Sequence, residues 1–214
     1  MKKILLGIFV LGIMKLSAQY DAKAKQILDN VSTKTKSYST IKVDYLLTHE
    51  NIQENIKESS QGTLELKGSK YKLGFMGNTI FCDAKTVWTF MKSANEVNIS
   101  TVEVGGEDVF NPATMLTIYE KGFKYKFIQE RFEAGRALYV IDLFPEKVDK
   151  TSYSKIRLNI DKDKSQIVQL QYFSKDENRF IIDVKKFEPN VALNDALFVF
   201  DKTKYPGVEV VDLR

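Results

Sequence analysis

The chain has 214 residues, of which 43% are apolar, 28% charged and 12% aromatic, with 32 Lys+Arg against 28 Asp+Glu. That balance excludes intrinsic disorder and low-complexity or collagen-like architectures, and the length suits one substantial core. One Cys and one His leave no ligands for a structural zinc site and no pair for an intramolecular disulfide.

Met1-Lys2-Lys3 is a short positive segment, and Ile4 to Met14 is an unbroken apolar run ending before Lys15. A run of this length is too short to span a bilayer but fits the apolar core of a secretory signal, with Ser17 and Ala18 as small residues before cleavage. We expect residues 1–19 to be a signal peptide and residues 20–214 to form one mature domain. Loss of the signal removes three lysines and no acids, leaving 29 basic against 28 acidic residues. The remaining lysines are scattered among acids, without the concentrated basic face that nucleic-acid binding needs, so no nucleic-acid partner is expected. No Cys stands at the cleavage region to accept a lipid, and a soluble extracytoplasmic protein is expected.

Tyr20 to Lys36 places Ala24, Ile27, Leu28 and Val31 at helical spacing and predicts one amphipathic helix. From Ser39 the period changes to two, with Ile41, Val43, Tyr45 and Leu47 on one face of a strand. Strands are predicted at 61–67, 70–75, 79–82, 86–91 and 96–102, separated by Gly68-Ser69, Gly77-Asn78, Asp83-Ala84-Lys85 and Ser93-Ala94-Asn95. Pro112 opens a helix-like stretch, 113–121, that Gly122 closes. Strands resume at 123–132, 137–144, 154–161, 166–173 and 178–187, and a helical turn at 193–197 precedes a last strand, Phe198-Val199-Phe200. About eleven short antiparallel strands with two helices predict a mainly β (α+β) fold, a half-open antiparallel β-barrel whose helices act as lid over an apolar cavity.

Little in the sequence carries chemistry. His49 has no nucleophile beside it and reads as an exposed polar residue at a strand end. Cys82, next to Asp83, reads as a small packing residue, and Asp161-Lys162-Asp163 as a hairpin tip, since no calcium-loop pattern follows. No catalytic residue, cofactor or metal is expected. Tyr71, Leu73 and Phe75 share one face, as do Trp88 and Phe90, and with Ile41, Val43 and Tyr45 they are expected to line one side of the sheet. On these grounds alone the stripe fits a plain core as well as it fits a cavity wall.

Five motifs in order resemble the outer-membrane lipoprotein carrier (LolA) family: the helix from Ala22 to Val31, Gln61-Gly62-Thr63-Leu64, Asp83-Ala84-Lys85-Thr86-Val87-Trp88, Asn111-Pro112-Ala113-Thr114-Met115-Leu116, and Phe198-Val199-Phe200 followed by Tyr205-Pro206-Gly207-Val208-Glu209-Val210. The resemblance implies a monomeric periplasmic chaperone of a Gram-negative bacterium that carries acylated lipoproteins as cargo, receives them from an inner-membrane ABC-type release complex and delivers them to an outer-membrane acceptor. It implies lipid binding by Ile41, Val43, Tyr45, Tyr71, Leu73, Phe75, Trp88 and Phe90, with Met115, Leu116, Ile118 and Tyr119 as a movable lid. A lipid-binding or lipoprotein-sensing regulatory module of the same fold is the alternative. The family's arginine-proline pair, whose arginine latches the lid, is replaced here by Gly68-Ser69, so that Lys67 or Lys70 substitutes for it or the lid is latched differently.

Overall fold

The computed structural model describes residues 21–102, 112–115, 117–120 and 122–214. The signal segment 1–19 and Leu116 lie outside the described residues.

Helix α1 spans Ala22–Lys36. Asp21 caps it, one carboxylate oxygen accepting from the backbone N–H groups of Lys23 and Ala24, both at 3.0 Å, and Lys34 and Lys36 sit in the last turn, where cations complement the helix dipole. Six strands follow: β1 Ile41–Asn51, β2 Ile56–Lys67, β3 Lys70–Phe75, β4 Asn78–Cys82, β5 Thr86–Met91 and β6 Glu96–Thr101. Helix α2, Pro112–Met115, and a 3-10 turn, Ile118–Glu120, lead to β7 Phe123–Glu133, β8 Arg136–Pro145, β9 Tyr153–Asp161, β10 Gln166–Ser174, β11 Asn178–Pro189 and a short β12, Glu209–Asp212. The predicted helix at 113–121 is therefore two short pieces, because Thr117, Ile118 and Tyr119 are weak helix formers and the Tyr119 hydroxyl is drawn onto α1, donating to the Leu28 carbonyl at 2.8 Å.

The twelve strands among the described residues form one sheet in the order β12-β6-β5-β4-β3-β2-β1-β11-β10-β9-β8-β7. β12 and β7 are its two edges, so the sheet does not close and the fold is a half-open barrel. β1 pairs with β11 and so joins two meanders, with an irregularity at Asp44/Tyr45. Every pairing is antiparallel except that of β12, which runs parallel to β6. The expected strand at 198–200 is absent. Phe198 ends a 3-10 turn, Asp195–Phe198, and is fully buried, while Phe200 packs with Tyr205 at a centroid distance of 4.7 Å. The Phe-x-Phe alternation serves to bury two rings rather than to pair a strand.

α1 lies on one half of the inner face. Ala24, Ile27, Leu28 and Val31 bury themselves among Ile141, Leu143, Ile156, Leu158, Ile160 and Leu170 of β8–β10. The opposite, outer face of those strands is polar. There the Asp142 carboxylate accepts from Arg157 Nε at 2.6 Å and Nη2 at 2.8 Å, and from Lys155 Nζ at 3.1 Å. Burial pushes this carboxyl up, but the bonds from Arg157 and Lys155 outweigh it and hold it below its ordinary value. A carboxyl depressed in the folded state stabilises above the unfolded value near about 4 and loses that contribution as pH falls through the folded value. The melting temperature is therefore expected to hold from neutrality to about pH 5 and to drop below pH 4, and an Asp142→Asn variant, already weakened at pH 7, is expected to show a smaller drop. Parallel melting curves of the two proteins would refute this assignment.

Candidate functional site: the inner face of the sheet

Register decides which side chains face α1 and which face away. Tyr71 pairs with Cys82, and Leu73 with Ile80; Cys82 in turn pairs with Val87, and Ile80 with Thr89. Residues directly opposite one another share a face, so Tyr71, Leu73, Ile80, Cys82 and Val87 all look inward. They join Ile41, Val43, Tyr45, Leu47, Leu64 and Leu66 in one apolar cluster. Phe180 and Ile182 of β11 belong both to this cluster and to the one beneath α1, which makes the apolar inner face continuous across the sheet.

The structure thus brings together Ile41, Val43, Tyr45, Tyr71, Leu73 and Phe75 as expected. It does not bring Trp88 and Phe90 to them. Phe81 pairs with Trp88 and Thr79 with Phe90, which puts both rings on the outer face, where they pack with Phe81, Val97 and the C-terminal residues Phe200, Tyr205 and Val208. The Asp83-Ala84-Lys85 hairpin fixes this parity: it sets Val87 opposite Cys82, one residue out of step with the expectation, and in a sheet one residue exchanges the faces. Ile80, Val87, Phe180, Ile182 and Val184 are inner-face residues that the sequence reading passed over. Alternation within β4 and β5 could have found Ile80 and Val87, whereas the β11 residues depend on a long-range pairing.

Tyr45 is the anchor of this half. Its ring lies over Gly62, where an added Cβ would come within 2.2 Å of the ring carbon that bears the hydroxyl, and that hydroxyl donates to the Gly74 carbonyl at 2.7 Å. Burial pushes the phenol up to about 12, so it stays protonated and donating.

Cover over the inner face is uneven. α1 is fixed over β7–β10 from both ends: the second Asp21 oxygen accepts from the backbone N–H of Phe127 at 2.9 Å, and near its C-terminus Ser32 Oγ and Lys36 Nζ both donate to Glu120. Tyr119 is buried against α1, and Met115 and Ile118 are partly buried there, so three of the four expected lid residues lie together. Across β1–β6, Leu73, Phe75, Ile80 and Val87 are only partly buried, as are Tyr125 and Phe127 on β7 beside α1. Here α2 approaches β2 and β3. A separate cleft of about 330 Å³ between α1 and the start of β7 has a charged rim of Lys25, Asp29, Glu120 and Glu146 and is distinct from the apolar surface.

Among the described residues neither Lys67 nor Lys70 makes a polar contact to the lid. Both pair with Asp195 at 2.7 Å, and Lys67 Nζ also reaches the Leu193 carbonyl at 3.4 Å. Bonds from Lys67 and then Lys70 lower the Asp195 carboxyl to about 2. The two lysines flank the Gly68-Ser69 turn and clamp the C-terminal segment, and the contacts that hold the 118–120 turn come instead from α1.

His49 is half-buried, not exposed. Its ring stacks on Phe180 at 4.8 Å with an interplanar angle of 9°, and its Nε2 shares a hydrogen bond with Asn178 Oδ1 at 2.7 Å. Cys82 is buried, and burial pushes its thiol up, away from the thiolate that nucleophilic chemistry uses. At the 161–164 tip, one Asp161 oxygen accepts from the backbone of Asp163 and Lys164, a hairpin cap. Among the described residues no group of three or more His, Cys, Asp or Glu side chains is arranged to hold a metal, and no helix is long and apolar enough to cross a membrane.

No curated protein matches the chain. Among solved structures, an uncharacterized conserved protein from Thermus thermophilus is similar in fold, with a TM-score of 0.56 at 14% identity over 89% of this chain and 99% of that one. A LolA superfamily protein from Nitrosomonas europaea gives 0.44 at 13% identity over 83% and 97%, and the Mycobacterium tuberculosis lipoprotein LppX 0.49 at 10% over 81% and 98%. The model of the family described as outer membrane lipoprotein carrier protein LolA matches residues 15–165, from before α1 through the β9–β10 turn. The open sheet, the helix packed on its inner face and this match together place the chain in the LolA family of outer membrane lipoprotein carrier proteins.

Proposed function

We propose that this protein is a periplasmic carrier that shelters the acyl chains of lipoproteins while they cross from the inner to the outer membrane of a Gram-negative bacterium. The observation that carries this reading is the partly exposed apolar inner face of β3–β5 and β11, continuous with the half on which α1 packs. Burying one CH₂ is worth about 0.8 kcal/mol, so an acyl chain of roughly 16 carbons would gain on the order of 10 kcal/mol on such a surface. That gain suffices to hold cargo, and transfer onward needs only a donor of lower affinity and an acceptor of higher affinity. An inner-membrane ABC-type release complex and an outer-membrane acceptor fill those two roles in this reading. The protein itself acts by binding, not catalysis, in keeping with a His49 ring committed to Phe180 and Asn178 and a Cys82 thiol kept protonated by burial.

The test is native mass spectrometry with lipid extraction on the mature protein, residues 20–214, purified from a periplasmic fraction without detergent. Co-purified acyl lipid or lipoprotein is the expected result. A clean apo mass that persists after incubation with an acylated lipoprotein would make the inner face a plain core and remove the reading.

A further inference from the structure

The inner face is not uniformly apolar, and the step in its polarity is sharp. One row across the strands, set by register, runs Leu64, Leu73, Ile80, Thr89, Asn98. The row beside it ends with Val87 opposite Ser100. Three uncharged hydrogen-bonding side chains, Thr89, Asn98 and Ser100, therefore occupy neighbouring inward positions on β5 and β6, at the margin of the apolar cluster that holds Leu73, Ile80 and Val87. All three are half-buried. None has a side-chain hydrogen-bond partner among the described residues. Half-buried donors without partners among the described residues, next to partly exposed aliphatic groups, suit a ligand that brings its own acceptors.

We propose that Thr89, Asn98 and Ser100 form the subsite for the neutral ester or amide carbonyls of a bound acyl lipid, whose chains run across β4 and β3 toward β1. The hydroxyls of Thr89 and Ser100 and the amide N–H groups of Asn98 donate to those carbonyls. About 10 Å separates β6 from β4 at the usual strand spacing, so an ester or amide carbonyl held on β6 leaves the methylenes that follow it to run over β5 onto β4. Charge sets the selectivity. The inward positions that the register defines on β2–β6 include no Lys or Arg, and the two charged residues there are both acids, Glu58 opposite His49 and Glu96 opposite Met91. A free fatty-acid carboxylate would meet no counter-charge and would lose its hydration. The site accordingly selects ester- or amide-linked acyl chains over fatty-acid anions.

This inference rests on the carrier reading, and one experiment separates the two. The neutral dye N-phenyl-1-naphthylamine is bound to the mature protein at pH 8 and displaced by monoolein or by oleate, which share a chain and differ in the head. Monoolein is expected to displace the dye at roughly one-tenth the concentration of oleate, as one or two hydrogen bonds would give. In a Thr89→Val, Asn98→Leu, Ser100→Ala variant that ratio is expected to fall below about twofold while dye affinity stays unchanged, which also reports an intact fold; the isosteric Thr89→Val change alone is expected to lower it about threefold. Equal displacement by the two lipids, a preference for oleate, or a monoolein preference that survives in the triple variant would each overturn the subsite while leaving an apolar cavity in place. Failure to bind dye and both lipids would overturn the carrier reading itself.

Discussion

Replacing Gly62 by alanine is expected to lower the melting temperature by about 10 °C. The added Cβ would meet the Tyr45 ring at 2.2 Å, its hydroxyl oxygen at 2.4 Å and the Gly74 carbonyl oxygen at 2.6 Å. No contact this short can persist, and only the first two can be relieved by moving a side chain. Rotating the Tyr45 ring away forfeits its hydrogen bond to Gly74 and empties the centre of the β1–β3 cluster, while the Gly74 contact still forces β2 and β3 apart. Overpacking of this kind costs about 1 to 3 kcal/mol and a lost buried hydrogen bond about 1 kcal/mol more, and in a domain of this size each kcal/mol moves the midpoint by about 2 to 4 °C. Gly74 supplies the internal control. A Cβ there would come no closer than 3.4 Å, to Thr63 Oγ1, so Gly74→Ala is expected to melt within about 3 °C of wild type. Equal melting of the Gly62 and Gly74 variants would show that Tyr45 does not lie across β2.

The second large effect is on binding. A Leu73→Glu change puts a carboxylate inward between Leu64 and Ile80, on the surface assigned to acyl chains. Methylene groups cannot solvate it, and acyl-lipid affinity is expected to fall at least about 100-fold. The neighbouring position gives the contrast, since Lys72 pairs with Phe81 on the outer face. Lys72→Glu, with the same new carboxylate one residue away, is expected to bind within about twofold of wild type. Should Leu73→Glu fold poorly, Leu73→Asn tests the same point with a smaller desolvation penalty, and dye displacement reads both. Wild-type affinity in a folded Leu73 variant would move the acyl surface elsewhere.

Both predictions depend on knowing which way each strand faces, and here sequence and structure differ in an instructive way. The strands themselves were legible: alternation of apolar and polar residues located β1 to β11, because each buries one side against an apolar cluster, although β2 starts at Ile56, five residues before its expected start. Gly68-Ser69 and Asp83-Ala84-Lys85 marked their turns correctly. The relative facing of strands was less legible. Trp88 and Phe90 are apolar on a strand whose opposite residues, Val87 and Thr89, are mixed, and this makes the aromatic side look like the core. It is a core, but a second one, which the C-terminal residues Phe200, Tyr205 and Val208 build on the outer face. Nothing local to β5 announces a cover some 110 residues away. The same distance concealed β12, a four-residue strand that alternates weakly and gains its place only by running parallel to β6. The lysines that flank Gly68-Ser69 were recognised as a departure from the family pattern, but their partner, Asp195, could be found only from the packing.

The β1–β11 ladder also imposes an order of events. Residues 41–51 find their outer neighbour only in residues 178–189, and the strands on which α1 docks belong to the same late half. A chain made from its N-terminus can zip β1 to β6 by successive hairpins, each closing over a few residues. Meanwhile α1, the first element to emerge, has no surface to settle on. The two halves can be joined only after residue 189 has left the ribosome, and the outer aromatic core is sealed later still, when Val208 arrives. The longest pairing in the sheet, the one that joins two meanders into one, is thus among the last to form, after the local hairpins on either side of it.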